Sequence, residues 1–273
     1  MSGRASMVID LWVNALSKSA AQKLLGTAGF GAIEQFFGSD VQGGTTTSAL
    51  MGEMDRLGVD RAVLTSGLST VDDHTLATVA EQRDRLWLSL VADDPNRPGR
   101  QAAKVRSRAA DGVVDMVRVS PLVDQIPLND ARFYPLYATC EELRLPVSIN
   151  IGIPGPRVRS RCQDPVLLED VLIDFPGLVV IGAHMGHPYE ELLVEYMLKW
   201  PNLYLSSSAY LAKYMHPALV KFMGSRRGRG RVLFASDHPF LPMERALVAA
   251  RALPLDTESL DEYLGGGAAR LFG

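Results

Sequence analysis

The chain contains 273 residues, of which 47% are hydrophobic and 22% are charged, and its formal net charge is -3. This composition supports a large buried core, excludes an intrinsically disordered chain, and disfavours a protein that binds nucleic acid or a membrane surface through basic residues. The chain has two cysteines, and MSGRASMVIDLW contains no apolar stretch of signal-peptide length. No apolar run approaches the roughly 18 residues that a membrane-spanning helix needs. We therefore expect a cytoplasmic protein.

Short apolar runs rich in β-branched residues recur along the chain, and each predicts a β-strand. The run LVVIGA is apolar almost throughout, which is typical of a strand buried on both faces and therefore of a parallel sheet. In chain order, the predicted strands are Met7–Trp12, Arg61–Thr65, Leu86–Val91, Val113–Val119, Pro146–Ile151, Leu178–Ala183, Asn202–Ser206 and Arg231–Ala235.

Helical patterns alternate with these strands. The predicted helices include Ser48–Leu57, Arg132–Leu143, Pro165–Phe175 and Tyr189–Lys199. Eight strands, each followed by a helix, predict an α/β fold of the (β/α)₈ TIM-barrel type, formed by residues 1–273 as a single domain. An open doubly wound sheet is the alternative, although no G-x-G-x-x-G follows the first strand.

One connection is longer than the others. The segment Ser17–Thr47, which contains Phe30, Phe36 and Phe37, separates the first predicted strand from the first predicted helix. Because barrel active sites are built from the loops that follow the strands, we expect this lid-like insertion to cover the barrel mouth or to form a contact in a homo-oligomer. A packed surface helix is the alternative.

Polar side chains collect where the predicted strands end. In a TIM barrel these carboxyl ends form the active site. Three of the five histidines lie at just two of the ends, although a scattered histidine is usually only a structural polar residue. The candidate side chains there are Asp10, Trp12, Asn14, Arg118, Asn150, His184, His187, Ser207, Tyr210, Asp237 and His238.

Two phrases at these strand ends, VVIGAHMGHP and VLFASDHPF, resemble the amidohydrolase superfamily. Together with FYPLYATCEELRLPV, they are similar to its amidohydrolase-related branch, which includes aromatic-acid decarboxylases and lactone hydrolases, and the similarity extends from Met7 to Phe272. The resemblance implies a (β/α)₈ barrel. It also implies that His184 and Asp237 stand where the family places functional residues.

The chain departs from the family pattern at the metal site. The resemblance implies a metal-binding His-x-His pair at the end of the first strand, where this chain has Trp12 and Asn14, and a histidine on the fifth strand, where it has Asn150. Catalytic zinc sites use three protein ligands of the His, Cys or carboxylate type. We therefore expect no cofactor and no family-type metal centre. A metal site rebuilt from other side chains is the alternative, with candidate ligands Asp10, His184, His187 and Asp237.

Asp237 and His184 are the predicted catalytic residues. A carboxylate at the barrel mouth, beside the apolar Phe234 and Pro239, is partly desolvated, which raises its pKa towards that of a useful general base. An imidazole titrates near neutrality, so His184 is suited to contacting a substrate or moving a proton. The structural alternatives are an ion pair or helix cap for Asp237 and a hydrogen bond to a neighbouring strand for His184.

The predicted substrate-binding residues are Trp12, Asn14, Arg118, Asn150, His187 and Tyr210. A guanidinium binds a carboxylate through two parallel hydrogen bonds, so Arg118 is the natural anion anchor. The alternative for Arg118 is a buried salt bridge to Asp115, Asp124 or Asp237. Asparagine can orient a carbonyl or a water molecule, and the Trp12 ring can stack on a planar substrate. The alternative is that Trp12, Asn14 and Asn150 simply fill the barrel mouth.

Three functions are consistent with these residues. We favour a metal-independent hydrolase of a small cyclic or carboxylated, lactone-type substrate, in which Asp237 deprotonates water and His184, Asn14 and Asn150 hold the developing oxyanion. The second is a decarboxylase or other lyase of a small aromatic or unsaturated acid, in which Asp237 or His184 protonates a carbanion. The third is a non-catalytic ligand-binding barrel. In each case the expected partner is a small molecule, and not nucleic acid or a membrane.

Overall fold

A computed structural model describes residues 7–14 and 45–273. Eight parallel strands within these residues are neighbours in the sheet in the order of the sequence, which confirms the TIM-barrel prediction. The strands are β1 (Ile9–Asn14), β2 (Arg61–Gly67), β3 (Leu86–Val91), β4 (Met116–Val119), β5 (Val147–Asn150), β6 (Val180–Ala183), β7 (Leu203–Ser206) and β8 (Val232–Leu233).

Helices connect the strands, and the four predicted helices are confirmed, although a 3₁₀ turn forms the first part of Pro165–Phe175. The helices are α1 (Thr47–Leu57), α2 (Asp73–Glu81), α3 (Pro98–Ala110), α4 (Pro121–Asp124), α5 (Tyr134–Leu143), α6 (Leu168–Asp174), α7 (Glu190–Lys199), α8 (Pro217–Met223), α9 (Met243–Arg251), α10 (Thr257–Asp261) and α11 (Gly267–Phe272). A π-helical turn joins the last two. The helices that the structure describes are all too short or too polar to cross a lipid bilayer.

Helix α1 illustrates how local sequence sets the element boundaries. The Thr46 hydroxyl accepts a hydrogen bond from the Ala49 amide at 3.1 Å and so caps the helix at its first turn. Leu50 and Met54, one turn apart, are fully buried against the barrel. Gly58 ends the helix in the left-handed conformation, with a φ of 68°, which glycine adopts without a steric penalty.

The barrel interior is packed with side chains. Strand β2 shows the alternation that a barrel requires: Ala62 and Leu64 belong to the hydrophobic cluster beneath the helices, whereas Val63 belongs to a second cluster. That second cluster also contains Leu11, Trp87 and other buried residues of β1, β3, β4, β6 and β8. A filled interior leaves the mouth of the barrel as the place for a ligand.

Strands β8 and β1 close the barrel through isolated hydrogen bonds. The Leu11 amide donates to Phe234 O at 3.0 Å, the Asn14 amide donates to His238 O at 2.8 Å, and the Asp237 amide donates to Trp12 O at 2.9 Å. Strand β8 is shorter than predicted because the chain after Leu233 pairs with β1 only at such single points. These contacts bring the end of β1 against the loop that carries Asp237.

The predicted lid-like insertion lies almost wholly outside the described residues. Of Ser17–Thr47, only residues 45–47 are described, and Thr46 and Thr47 form the cap and first residue of α1. Phe30, Phe36 and Phe37 also lie outside the described residues. Their predicted burial at the barrel mouth or in a subunit contact therefore stays a prediction, as does the single-domain organisation.

Candidate active site

A cavity of about 250 Å³ lies at the carboxyl ends of the strands. Most of its lining is apolar: Trp12, Val91, Leu122, Val123, Ile153, Pro154, Gly155, Pro156, Ala209 and Phe240. The polar residues of its lining are Asn14, Thr65, Ser120, Asn150, His184, Tyr210 and Asp237. Six of the predicted site residues therefore meet around one cavity: Trp12, Asn14, Asn150, His184, Tyr210 and Asp237.

A larger groove, of about 1080 Å³, is lined by residues of α8, of α9 and of the segments beside them, such as Val248 and Leu253. None of the predicted site residues lines this groove. Since barrel chemistry takes place at the carboxyl ends of the strands, the smaller cavity is the candidate active site.

Asp237 occupies a constrained position in the loop after β8. Its backbone has a φ of 70°, and its amide donates a hydrogen bond to Trp12 O, so the backbone of this residue has a defined position. Its side chain is almost fully buried, and Oδ1 accepts a hydrogen bond from Asn14 Nδ2 at 2.9 Å. Burial raises the pKa of Asp237 to about 7, against the opposing effects of the Asn14 hydrogen bond and the charge of Arg118. The carboxyl group can therefore give or take a proton near neutral pH.

Trp12 and Asn14 form a hydrogen-bonded chain that ends at Asp237. Trp12 Nε1 donates to Asn14 Oδ1 at 3.2 Å, which turns the amide nitrogen of Asn14 towards Asp237. The same nitrogen also donates to His238 O at 3.0 Å. Both N–H bonds of Asn14 are therefore in use, and the residue orients the Asp237 carboxyl group.

His184 follows β6 with a φ of 59° and lines the cavity. Its Nδ1 lies 3.1 Å from Ser208 O and 3.0 Å from Ser208 Oγ. The carbonyl oxygen can only accept, whereas the hydroxyl can accept as well as donate, so a proton on Nδ1 satisfies both contacts. We therefore assign the ring proton to Nδ1, which makes Nε2 an acceptor. Burial lowers the pKa of His184 to about 4, with a smaller contribution from the charge of Arg118. The imidazole is therefore neutral at physiological pH, and its ring centre lies 4.9 Å from that of Trp12.

Arg118 does not line the cavity. Its guanidinium carbon lies 3.7 Å from the centre of the Trp12 ring, Nη1 donates to Ser148 Oγ at 3.1 Å, and Nη2 donates to Leu11 O. The side chain is 1% exposed, so its geometry does not support the predicted contact with a substrate carboxylate. The alternative salt bridges are also not formed, and Asp115 pairs with Arg83 instead. Burial lowers the pKa of Arg118 to about 9, which leaves a buried cation at neutral pH.

Asp10 is a second buried carboxyl group close to the site. The sequence suggested a role for Asp10 only as a ligand of a rebuilt metal centre. Its Oδ1 accepts hydrogen bonds from the amides of Trp12 at 3.1 Å and Ser236 at 2.9 Å. Burial raises the pKa of Asp10 to about 6, although these hydrogen bonds and Arg118 oppose the shift. Asp10 therefore braces the junction of β1 with the loop after β8, and it does not line the cavity.

The remaining predicted residues divide between the cavity and its surroundings. Tyr210 lines the cavity and donates to Ile153 O at 3.3 Å. His187 does not line it, since its Nδ1 lies 2.8 Å from Oε1 of the buried Glu190 and its ring packs against Tyr210. Ser207 is a structural residue whose hydroxyl donates to Ala235 O.

Thr65, Ser120 and Ser208 were not singled out from the sequence. Thr65 and Ser120 line the cavity, and Ser208 fixes the His184 ring. Thr65 lies in the last half of β2, and Ser120 and Ser208 lie just beyond the ends of β4 and β7. Proximity to a strand end is the signal that could have identified them.

The family model described as Amidohydrolase matches residues 27–273. The chain belongs to this amidohydrolase family. The match confirms the resemblance carried by the two histidine-containing phrases. No curated protein matches the chain.

Solved structures similar to this amidohydrolase share its fold at low identity. An uncharacterized TIM-barrel protein from Bordetella bronchiseptica has a TM-score of 0.79 and 21% identity, with 97% of this chain and 98% of that chain covered. The 5-carboxyvanillate decarboxylase of Sphingomonas paucimobilis has a TM-score of 0.74 and 17% identity, over 98% and 99%. A dihydroxybenzoic acid decarboxylase from Polaromonas, with bound manganese and 2-nitroresorcinol, has a TM-score of 0.74 and 14% identity, over 98% and 97%. At these identities the likeness establishes the barrel fold.

The side chains that the structure describes do not form a site for the manganese that the Polaromonas protein binds. Within residues 7–14 and 45–273, no group of three or more His, Cys, Asp or Glu side chains is placed to hold a metal ion. The Trp12 indole nitrogen is a donor, and Asn14 turns its amide nitrogen towards Asp237, so neither presents a lone pair to a cation there. All five histidines and both cysteines lie in the described part, and the carboxylates outside it are Glu34 and Asp40.

Proposed function

We propose that this amidohydrolase is a metal-independent decarboxylase of a small, planar, aromatic or unsaturated acid, and that Asp237 donates the proton that replaces the carboxyl group. The observation that carries the proposal is the arrangement of hydrogen-bond donors and acceptors around the cavity. His184 presents an unprotonated nitrogen, the N–H bonds of Asn14 are occupied, and Asp237 carries an exchangeable proton near neutral pH. This arrangement is suited to delivering one proton.

The same arrangement of donors and acceptors is poorly suited to a lactone hydrolase, which the sequence favours. Hydrolysis of an ester develops negative charge on the carbonyl oxygen, which requires donors aimed at that oxygen. Of the three residues expected to supply them, His184 directs its N–H to Ser208 O and Asn14 directs its amide to Asp237 and His238. Only Asn150 retains an amide nitrogen for the task.

The apolar lining also favours decarboxylation. Among the described residues of the cavity wall there is no lysine or arginine, and Arg118 is covered by the Trp12 ring. A substrate carboxylate in this cavity would exchange its hydration for an apolar surface. Its charge becomes delocalised as carbon dioxide leaves, so the apolar surface opposes the transition state less than the bound carboxylate.

The proposed reaction replaces the carboxylate of the substrate with a proton. The bond between the ring or vinyl carbon and the carboxylate carbon breaks, carbon dioxide leaves, and the electron pair remains on the substrate carbon. Asp237 transfers its proton to that carbon and becomes a carboxylate, which Asn14 Nδ2 stabilises. A bound anion raises the pKa of Asp237 further, so the carboxyl group is protonated when the substrate is in place. A proton from water then restores it.

The size of the cavity limits the substrate. Its volume of about 250 Å³ is below the range of about 300–1,000 Å³ for pockets that hold drug-sized ligands. This volume suits a molecule with a single ring. The decarboxylases of Sphingomonas paucimobilis and Polaromonas act on substituted benzoic acids by name, and these compounds have a single ring.

Hydrolysis remains the second candidate, because a carboxyl group with a pKa of about 7 is also half ionised at neutral pH and could activate water. The decisive experiment incubates the purified chain with single-ring acids and lactones in D₂O. Decarboxylation releases carbon dioxide and places one deuterium on the former carboxyl-bearing carbon. Lactone opening produces an acid with no carbon dioxide.

Matched variants test the role of Asp237. We expect Asp237→Asn to lose about 10²–10⁴-fold in rate, because it retains the size of the side chain and removes the proton. The control is Asp124→Asn, since Asp124 is a carboxyl group with a raised pKa that does not line the cavity. Binding of acids without turnover in the unmodified protein would contradict the proposal and favour the non-catalytic barrel.

A further inference from the structure

The loop after β5 forms one side of the entrance to the cavity. Its ends are joined by two hydrogen bonds, since the Gly152 amide donates to Gln163 O and Gln163 Nε2 donates to Gly152 O, both at 2.9 Å. Between these ends, residues 153–156 line the cavity. Ile153 in this loop and Val123 in α4 both line the cavity, yet they are 48% and 59% exposed. The cavity therefore opens to solvent between the loop and α4.

The next residues of the loop carry three positive charges, on Arg157, Arg159 and Arg161. All three residues are exposed, and their side chains have no ion pair or hydrogen bond within residues 7–14 and 45–273. The carboxyl group of Asp124, at the end of α4, does not neutralise them. Asp93 and Arg132 are among the charged neighbours of Asp124, and none of the loop arginines is. The charges of the loop therefore remain available to a ligand.

Two connections hold this basic segment beside the entrance. Arg157 directly follows Pro156, a residue of the cavity wall, so their Cα atoms are about 3.8 Å apart. Gln125 Nε2 donates to Arg159 O at 3.2 Å and to Leu122 O at 2.8 Å, and Leu122 also lines the cavity. Gln125 thereby ties the loop to α4, and the basic segment stands where a ligand enters.

We propose that Arg157, Arg159 and Arg161 form a carboxylate-binding surface at the entrance, which draws an anionic substrate towards a largely apolar cavity. The chain has a formal net charge of -3, so a local positive surface offsets its repulsion of an approaching anion. A guanidinium group pairs with a carboxylate through two parallel hydrogen bonds and keeps its charge at every physiological pH. The proposal rests on the proposed decarboxylase only for the negative charge of the substrate.

The test compares two probes of similar size, benzoate and benzamide, of which only benzoate is charged at pH 7. Calorimetry measures their binding to the full-length protein at about 20 mM and about 500 mM sodium chloride, since salt screens exposed charges. The loop variant combines Arg157→Gln, Arg159→Gln and Arg161→Gln. We expect it to bind benzoate about three- to tenfold more weakly at low salt, because exposed ion pairs are individually weak. The loss should nearly vanish at high salt, and benzamide binding should not change.

The control variant removes three charges from the opposite end of the barrel. Arg144, Arg226 and Arg227 are exposed and lie in the connections before β5 and β8, at the amino ends of the strands. Arg144→Gln, Arg226→Gln and Arg227→Gln together change the net charge equally. We expect the affinity of this variant for benzoate to stay within about twofold, because the charges are remote from the entrance.

A third variant separates charge from the shape of the loop. Arg157→Lys, Arg159→Lys and Arg161→Lys together retain all three charges and should recover most of the affinity for benzoate. Thermal unfolding of each variant establishes that it is folded. Equal losses in the loop and control variants would mean that only net charge matters, and an equal loss for benzamide would mean that the loop variant alters the cavity. Either result overturns the proposal, as does failure of benzoate to bind at millimolar concentration.

The outcomes also separate this proposal from the proposed function. Release of carbon dioxide from an acid, together with an undiminished affinity for benzoate in the loop variant, would overturn the arginine surface and leave the decarboxylase intact. Salt-dependent binding of benzoate that requires the loop arginines, without turnover of any acid, would support the surface and contradict the decarboxylase.

Discussion

The guanidinium carbon of Arg118 lies 3.7 Å from the centre of the Trp12 ring, and this stack places a buried cation directly behind the wall of the cavity. Such a contact is favourable because the face of an indole ring is electron-rich. The cation is close enough to act on Asp10 and Asp237 without touching a ligand. Arg118 is therefore an internal counter-charge for the two buried carboxyl groups.

We predict that Arg118→Met will raise the pKa of Asp237 above its value of about 7, because the charge of Arg118 favours the ionised carboxylate. Carbon-13 NMR of labelled aspartate carboxyl groups measures this pKa, and Asp237→Asn identifies the signal. Arg83→Met is the matched control, since Arg83 pairs with Asp115 and not with the site. An unchanged pKa in Arg118→Met would mean that Arg118 does not act on Asp237.

The pH dependence of turnover distinguishes the two enzymatic hypotheses. If Asp237 is a proton donor, kcat falls as pH rises through the pKa of the bound enzyme, which lies at or above about 7. If Asp237 is a general base, kcat rises over the same range. We predict the falling profile, measured by the rate of carbon dioxide release between pH 5 and 9. A rising profile would favour hydrolysis.

The pH dependence of stability provides a test that needs no substrate. The pKa of Asp237 is about 7 when folded against an ordinary value of 3.8, so the folded state holds this proton more tightly than the unfolded chain. As pH rises from about 4 to 7, this difference in proton binding lowers the free energy of unfolding. Above about pH 7 the effect does not change further. We predict that Asp237→Asn will gain stability relative to the unmodified protein at pH 8, on the order of a few kcal/mol, and little at pH 4.

Denaturant unfolding at the two pH values measures this difference. Asp72→Asn is the control of opposite sign, because hydrogen bonds from Thr75 lower the pKa of Asp72 and its stabilising contribution is lost as pH falls. Equal effects of Asp237→Asn at pH 4 and pH 8 would show that the carboxyl group does not carry a raised pKa.

The two nitrogens of His184 can be tested separately. His184→Asn retains an amide donor near the position of Nδ1, where it can bond to Ser208 O, and it removes the Nε2 acceptor from the cavity. The longer side chain of His184→Gln places its amide group near the position of Nε2 and leaves the position of Nδ1 without a donor. We predict that His184→Asn will keep nearly full stability and lose ligand affinity, and that His184→Gln will lose stability because Ser208 O is left without its donor. Calorimetry and thermal unfolding of both variants measure the two effects, and the reverse pattern would contradict the assigned ring orientation.

Metal content is a further property of the site that can be measured directly. We predict well below one manganese or zinc ion per chain after dialysis against either ion, and unchanged turnover after treatment with a chelator, because the described donor set lacks a third ligand. Elemental analysis by mass spectrometry measures the content. One tightly held ion per chain would overturn the prediction. Glu34→Gln and Asp40→Asn would then reveal whether a carboxylate beyond the described residues completes the site.

Much of the fold was predictable because it depends on local patterns. The apolar runs that became β1 to β8 and the helical patterns between them express burial on both faces of a parallel sheet, and this burial is written in the residue types. Placement at a strand end also identified Asn150, His184 and Asp237 as cavity residues. These inferences needed only the rule that barrel sites form at the carboxyl ends of the strands.

The roles of the side chains could not be read in the same way. The sequence placed Arg118 at a strand end with nothing to distinguish a substrate anchor from a buried cation, and the distinction came from the Trp12 ring that covers it. The same holds for Asn14 and His184, whose hydrogen-bond donors are directed by His238 and Ser208, partners from other parts of the chain. Polarity and pKa at a site depend on which groups the fold brings within about 3 Å and on how much water it excludes, and neither is a property of local sequence.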